Sequence, residues 1–433
     1  MSYGVALRNG IPFTLGTIAA LCVNATGQAW SPHALWPTGT EAGMWIDPSN
    51  LASQWQDSAG TTPVSTPGTV ADSSNPVGLA LDLRLGATVL TDPGNHLLQA
   101  TSPARPLLSA RVNLLTYTED FSNAAWLKYH ASATASRITF SGTVGAVYRG
   151  GVTGGIHYTA MCEFQDTGTA LFPALVIGAG PITSVFAVFD IASGTVSQSE
   201  AAGSGTVIHS TDLQALGSGW YRGIIEFTLG GTDSNHNFKI EHAPTATGNT
   251  LDANGEIVGN TPGEYIDPRN VQLNFGPPVA YQAILTDGST YSATGFPIYQ
   301  KYDGTDDGMA TASFAAGTLT NAMDCMIAVR RDSDAALYGV VGMQNQPQAV
   351  CFGIYAIGSS DPCFFGCGTP TVWVDGVQLP AGSRGELYTA LPVGDWHILE
   401  FRGLDLSAWT KATFGEWGGG VIFNGAQGGI LLF

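Results

Sequence analysis

Three carboxylates, Asp303, Asp306 and Asp307, crowd a turn that also holds Gly304 and Gly308. Hard oxygen ligands at that density suit calcium, although the spacing is not that of an EF-hand loop. Capping of the turn's own amides is the competing reading, because Asp side chains bond the backbone two residues on. Calcium is the one cofactor these residues suggest. A second chemistry is sugar stacking. Trp373, Trp409 and Trp417, with Trp126, Trp220 and Tyr221 nearer the middle, are the rings that could lie flat on a sugar. Core packing competes for every one of them, since an aromatic side chain buries a large area. Trp373 is preferred because it adjoins Asp375 and a turn, so ligand contacts are expected at Trp373, Asp375, Trp409 and Trp417.

Hydrolysis finds less support. Glycoside cleavage wants two carboxylates flanking a sugar. Glu264 and Asp267 are three apart, which puts them on opposite faces of an extended strand. Asp395, Glu400 and Asp405 surround one strand without a matching signature, and Glu241 stands alone. The sequence holds no serine nucleophile elbow, His-Glu-x-x-His or phosphate-binding loop. No catalytic residue is assigned and no enzyme is expected. Cys363 and Cys367 have a metal-compatible spacing, but zinc would want a second close pair or a histidine. Buried thiols are the reading adopted for the six cysteines.

The elements that must position these groups read as strands. Residues 185–191 are a nearly continuous apolar run that ends at Ala192-Ser193-Gly194-Thr195. In residues 220–227, Tyr221, Ile225 and Phe227 share one face while Arg222 and Glu226 share the other. Phe238 and Ile240 alternate with Asn237, Lys239 and Glu241, and His236 and His242 join the Phe238 face as edge-of-core residues. Asp375-Gly376 between Val374 and Val377 predicts a two-residue hairpin, since both positions take positive φ. Residues 396–401 predict another strand, and residues 49–56 and 120–128 predict short helices. No heptad register appears.

Composition agrees. The 433-residue chain has 56 Gly, 23 Pro and 12% charged residues, the profile of an all-β protein with many turns. Its net charge of −18 comes without a basic patch, so nucleic acid is not an expected partner. The apolar run at residues 11–23 contains Pro12 and Gly16, is too short to span a bilayer, and reads as a strand pair, with a signal peptide as the alternative. A soluble protein assembled in a cytoplasm, without membrane insertion, is expected.

One stretch is more specific than any of these. Asn113-Leu114-Leu115-Thr116-Tyr117-Thr118-Glu119-Asp120-Phe121-Ser122-Asn123-Ala124-Ala125-Trp126 resembles the opening of a module that recurs in bacteriophage structural proteins. With Phe189-Asp190-Ile191-Ala192-Ser193-Gly194-Thr195-Val196 and Gly219-Trp220-Tyr221-Arg222, it looks like a carbohydrate-binding-module-like jelly roll. Where that family closes on a Trp-Gly-Ala-Gln-like strand, this chain has Val271-Gln272-Leu273-Asn274-Phe275-Gly276. Trp126 and Trp220 belong to the recurring motif and so are assigned to the core. The last block is similar to a laminin-G or concanavalin-A-like sandwich through Tyr302-Asp303-Gly304-Thr305-Asp306-Asp307-Gly308-Met309, the Asp375-Gly376 hairpin, Trp396-His397 and residues 423–431. Met44-Trp45-Ile46-Asp47-Pro48-Ser49 and Gly94-Asn95-His96 are similar to what precedes that sandwich in phage relatives.

The resemblance implies two lectin-like β-sandwiches, one inserted in the other. Residues 1–40 would form an attachment arm, 41–111 the first part of the concanavalin-A-like sandwich, 112–285 the inserted jelly roll, and 286–433 the remainder. It further implies a virion surface protein (tail fibre, spike or head fibre) that binds host polysaccharide. Other virion proteins would engage residues 1–40, and the chain would be a homo-oligomer, a trimer by analogy with phage fibres. A purely architectural role is the alternative, and a polysaccharide depolymerase the third.

Overall fold

The computed structural model describes residues 32–38, 40–168, 172–333, 337–342, 351–417 and 421–433. Side chains are described throughout these except at 337–339, 342, 416, 417, 421 and 422. Most of the expected attachment arm, with Cys22 and the 11–23 run, therefore lies outside the described residues. The protein is all-β, and the chain divides into two compact units, Met1–Ala110 with Ala293–Phe433, and Arg111–Ser292. Among the described residues no helix is long and apolar enough to cross a membrane.

The first unit is built on two eight-stranded sheets. One runs Val377–Leu379, Thr371–Val374, Trp396–Leu404, Met323–Arg331, Asn424–Leu432, Tyr299–Asp303 and Leu107–Ser109, with Met44–Ile46 also paired to Asn424–Leu432. The other runs Gln54–Trp55, Leu79–Ala80, Leu97–Leu98, Met309–Thr311, Thr413–Phe414, Leu337–Gly342, Cys351–Ala356 and Phe364–Phe365. Alternation makes the sandwich: Ile327, Val329, Leu399 and Phe401 from the first sheet meet Val341, Phe352 and Phe414 from the second. Arg330 and Arg331, adjacent on one strand, point oppositely. Arg330 lies near Tyr299 and Trp396, and Arg331 near Tyr355 and Tyr388.

Fully buried Asp82 ties the early segments together, accepting the amides of Trp45, Arg84 and Asn95 at 2.8–3.0 Å. Trp36 packs on Leu431 beside Trp45 and Met326, a cluster on the face of the first sheet opposite the sandwich core, so chain from the end of the expected arm belongs to this unit. The hairpin forms as the residues dictate: Val374 pairs with Val377, with φ 50° at Asp375 and 78° at Gly376. The one α-helix among the described residues, Arg384–Ala390, was not anticipated. Its signal is the capping box of Ser383 and Glu386.

The second unit holds a six-stranded sheet, in order Thr195–Ala202, Ser184–Asp190, Pro173–Gly178, His236–His242, Ala146–Val152 and Leu127–Tyr129. A four-stranded sheet follows the order Val207–Gly217, Trp220–Thr228, His157–Gln165 and Pro268–Phe275. Tyr265–Ile266, Ile138–Phe140 and Ala131–Ala133 make a small third sheet. Phe164 and Phe189, with ring centroids 6.0 Å apart, link the two main sheets through the core. Gly223 is required there, since a Cβ would come within 2.7 Å of the Phe189 ring.

The 113–126 stretch proves to be a folding device. Asn113 Nδ2 donates to the carbonyls of Val271 and Gln282, and its Oδ1 accepts the Leu115 and Leu273 amides. Thr118 Oγ1 accepts the Ile284 amide, and the Tyr281 hydroxyl donates to Glu119. Phe121 and Trp126 pack together in the core.

Three expectations need correction. Residues 49–56 form a three-residue 3-10 turn, Leu51–Ser53, and then a strand, because the carbonyls and amides here pair across to Leu79–Ala80. Residues 120–128 form turns that lead into Leu127–Tyr129. Lys239 and Glu241 are as buried as Phe238 and Ile240. The segment after this strand covers the second face of the sheet through Ala243, Leu251 and Ile257.

Candidate functional site

On the first unit, Trp373 is half-buried, and its Nε1 donates to Thr371 Oγ1 at 3.1 Å. The guanidinium carbon of Arg402 sits 4.5 Å from its ring centroid, and Arg402 is held by Glu400 at 2.6 Å. Asp375 uses both carboxylate oxygens as a strut beneath the hairpin. Oδ1 accepts the Ile398 amide at 2.8 Å and Oδ2 pairs with His397 Nδ1 at 2.7 Å. Trp409 is a correction: it is 1% exposed, lies 5.8 Å from Phe352 and has no face to offer a ligand. The Trp417 side chain lies outside the described residues. Structure therefore does not bring the expected four residues together as one site.

Asp303, Asp306 and Asp307 do converge, with one carboxylate oxygen from each inside a mutual distance of 4.8 Å. Burial pushes the Asp307 carboxyl up to about 7, and the neighbouring Asp303 and Asp306 charges push the same way against a hydrogen bond from the Asp303 amide. Crowded acids with oxygen donors suit calcium in chemistry. The same oxygens also cap the turn, Asp303 Oδ1 accepting the Thr305 amide at 2.7 Å. All five described cysteines are buried free thiols; burial holds Cys363 and Cys367 up at about 12, the wrong direction for a metal-binding thiolate.

A different arrangement occupies the outer face of the four-stranded sheet in the second unit. Strand alternation puts Trp220, Arg222, Ile224 and Glu226 on that face, opposite Gln165, Glu163, Met161 and Thr159 of the neighbouring strand. Glu163 is 2% exposed and central. Its Oε1 accepts Arg222 Nη2 at 2.7 Å, and its Oε2 accepts Arg269 Nε at 2.8 Å and Asn270 Nδ2 at 3.0 Å. Arg269 in turn sits over the Trp220 ring, its guanidinium carbon 3.6 Å from the ring centroid.

A β-bulge makes this geometry. Between Met161 and Glu163 the partner strand has an extra residue, so Met161 faces Gln272 while Glu163 faces Arg269. Asn270 takes φ 50°, an uncommon left-handed conformation for a residue other than glycine. The bulge aims Arg269 and Asn270 at the same carboxylate. At the other end of this face His157 Nε2 meets Glu226 Oε1 at 2.9 Å, and Ser210 Oγ donates to Glu226 at 2.7 Å.

Trp220, assigned to the core on sequence, is therefore half-buried on a polar face. The signal that could have found it is the alternation itself, which already sets Arg222 and Glu226 apart from Tyr221, Ile225 and Phe227. Glu163, Arg269 and Asn270 carried no local signal. Elsewhere, Arg137 pairs with Asp267 through two hydrogen bonds of 2.6 and 2.7 Å and stacks on Tyr265. A shallow cleft of about 620 Å³ beside the helix is lined by Ser359, Leu379, Ser383, Glu386 and Thr389, with Glu386 already engaged in the capping box. No protein-family model matches the chain, and no curated protein matches it.

Proposed function

We propose that this chain is a bacteriophage virion protein displayed on the particle surface, as a tail fibre, spike or head fibre, that binds host-cell glycan without cleaving it. The observation that carries the reading is the outer face of the four-stranded sheet: a half-buried tryptophan amid arginine, carboxylate and amide groups. Indole and amide groups on a rigid sheet suit a sugar ring and its hydroxyls. The resemblance of residues 113–126 to phage modules supports the setting, and that of the first unit to a concanavalin-A-like sandwich supports a second lectin-like surface around Trp373. Binding at each site would be weak and strengthened by many copies, in a homo-oligomer that light scattering would size.

The test is retention of purified full chain on host envelope polysaccharide. Trp220→Ala should lose binding and Trp409→Leu, a core change, should not. Failure of the chain to bind any host polysaccharide would overturn the reading. Calcium at Asp303, Asp306 and Asp307 belongs to the proposal, and a rise in melting temperature with calcium that Asp307→Asn abolishes would support it. Release of oligosaccharide from host capsule would instead establish a depolymerase.

An architectural role has its own observation. Thr195–Ala202 and Val207–Gly217 are long, largely exposed edge strands, and Ile182, Val377 and Phe365 are exposed apolar side chains. A particle map with these edges covered by other subunits would favour it.

A further inference from the structure

The glycan-binding reading leaves open what kind of sugar the Trp220 face takes, and the hydrogen bonding around Glu163 narrows it. Trp220 does not present a bare ring, because the Arg269 guanidinium covers one of its faces at 3.6 Å. What the face presents there is a planar set of N–H donors. Arg222 and Arg269 share a single carboxylate, Glu163, through Arg222 Nε and Nη2 and Arg269 Nε. Among the described residues, Arg222 Nη1 and Arg269 Nη1 and Nη2 donate to no protein acceptor. Their side chains are 26% and 41% exposed, while Glu163 is 2% exposed. Two cations over one buried anion leave one positive charge facing solvent.

That charge is conspicuous in a chain of net charge −18. The acids nearby are bonded to other groups, Glu226 to His157 and Ser210 among them, and those bonded to neutral amides keep their charge. Asp267 pairs with Arg137, Asp166 accepts the Gly168 amide at 2.8 Å, and Asp212 accepts Gln214 Nε2 at 2.8 Å. Gln214 lies across from Arg222 and Gln165 across from Trp220, so amides flank the guanidiniums. The bulge, with Asn270 at φ 50°, is what turns Arg269 and Asn270 together onto the Glu163 carboxylate. A guanidinium fork matches a planar carboxylate through two parallel N–H donors.

We propose that the Trp220 face recognises a carboxylate-bearing polysaccharide, with the uronate carboxylate on the open edges of Arg269 and Arg222 and the flanking amides on ring hydroxyls. This rests on the glycan-binding reading and specifies its substrate class.

The experiment measures binding of the full chain to polygalacturonate, alginate and hyaluronate, each beside its carboxyl-reduced form. At least one polyuronate should bind ten-fold or more tighter than its reduced form, and Arg269→Gln and Arg222→Gln should each lose at least ten-fold. Arg269→Lys should lose nearly as much, since a point charge cannot make the two-point contact. Should a variant not fold, phenylglyoxal modification of wild-type Arg269, followed by peptide mass spectrometry, replaces it; the bound polyuronate should slow that modification and its reduced form should not. Equal binding of acidic and reduced polymers, or folded arginine variants with wild-type affinity, would overturn the inference while leaving glycan binding intact. Unslowed modification would overturn it equally. If no polysaccharide binds, acidic or neutral, both the inference and the reading beneath it fall.

Discussion

Removing the Glu163 carboxylate tests whether the arginine pair is held as described. In Glu163→Ala the guanidiniums of Arg222 and Arg269 and the Asn270 amide lose the acceptor they share. Breaking a fully buried pair by deleting one partner costs about 3–5 kcal/mol. Here the carboxylate is buried but both arginines reach solvent, with side chains 26% and 41% exposed, so water recovers part of the loss. A cost of about 2 kcal/mol remains, roughly the worth of one charge-assisted hydrogen bond. For a domain of this size that lowers the melting temperature by about 4–8 °C. Glu163→Gln keeps the side chain's size and one accepting oxygen but loses the charge and turns an N–H donor onto the groups it used to accept, so it should cost between about 1 and 2 kcal/mol.

Urea denaturation of the full chain, followed by tryptophan fluorescence, reads the effect, and the stacked Trp220 should change its emission in the folded state. Two results would refute the reasoning. Glu163→Ala within about 0.5 kcal/mol of wild type, the ordinary range of a surface substitution, would mean the carboxylate holds nothing. Glu163→Gln at wild-type stability beside a destabilised Glu163→Ala would mean that packing, and not charge, is what the residue supplies.

Trp409→Ala should cost about 3–5 kcal/mol by leaving a core cavity, while Trp373→Ala, half-buried beneath Arg402, should cost less than half of that by the same denaturation assay. Gly223→Val should destabilise strongly or prevent folding, because the added Cβ meets the Phe189 ring at 2.7 Å, and thermal melting of Gly223→Ala should already fall by several degrees. Burial pushes the Glu241 carboxyl up to about 8, from an ordinary value of 4.5. The folded state then holds a proton the unfolded state has lost, so stability falls as pH rises from about 5 to 8. Glu241→Gln should flatten that part of a stability–pH profile, and an unchanged slope would show that the group titrates normally.

Local chemistry made part of this fold legible. The Asp375-Gly376 turn needs nothing beyond its two residue types, and the Ser184–Asp190 strand follows from its own apolar run. Failures came where a partner distant in the chain decides. Lys239 and Glu241 alternate with Phe238 and Ile240 as a half-exposed strand would, yet Lys239 is buried with its ammonium on the Asn254 and Gly255 carbonyls and the Glu256 carboxylate. Nothing within the strand announces that cover. Trp409 and Trp373 are alike as residue types, and only tertiary packing separates a core ring from a surface one. The helix Arg384–Ala390 had a visible capping box, but Gly385 inside it and its seven-residue length weakened the helical pattern.

The most recognisable stretch spends its buried polar groups on the fold. Asn113 engages both its amide atoms with backbone, Thr118 and Glu119 bond Tyr281, and Trp126 donates to the Tyr117 carbonyl from within the core. A motif whose buried polar groups are satisfied internally specifies a fold, since those donors and acceptors are spent on the chain itself. Recognition needs the opposite condition: polar groups held rigidly but incompletely satisfied. Arg222 and Arg269 meet it, because Glu163 fixes one edge of each guanidinium and leaves the other edge open. Their partners come from three strands joined by a bulge, a combination that periodicity cannot reveal. Fold signature and binding chemistry therefore occupy different residues of the same unit, and substitutions should separate them: Asn113→Ala should act on stability, and Arg269→Gln on what the folded protein binds.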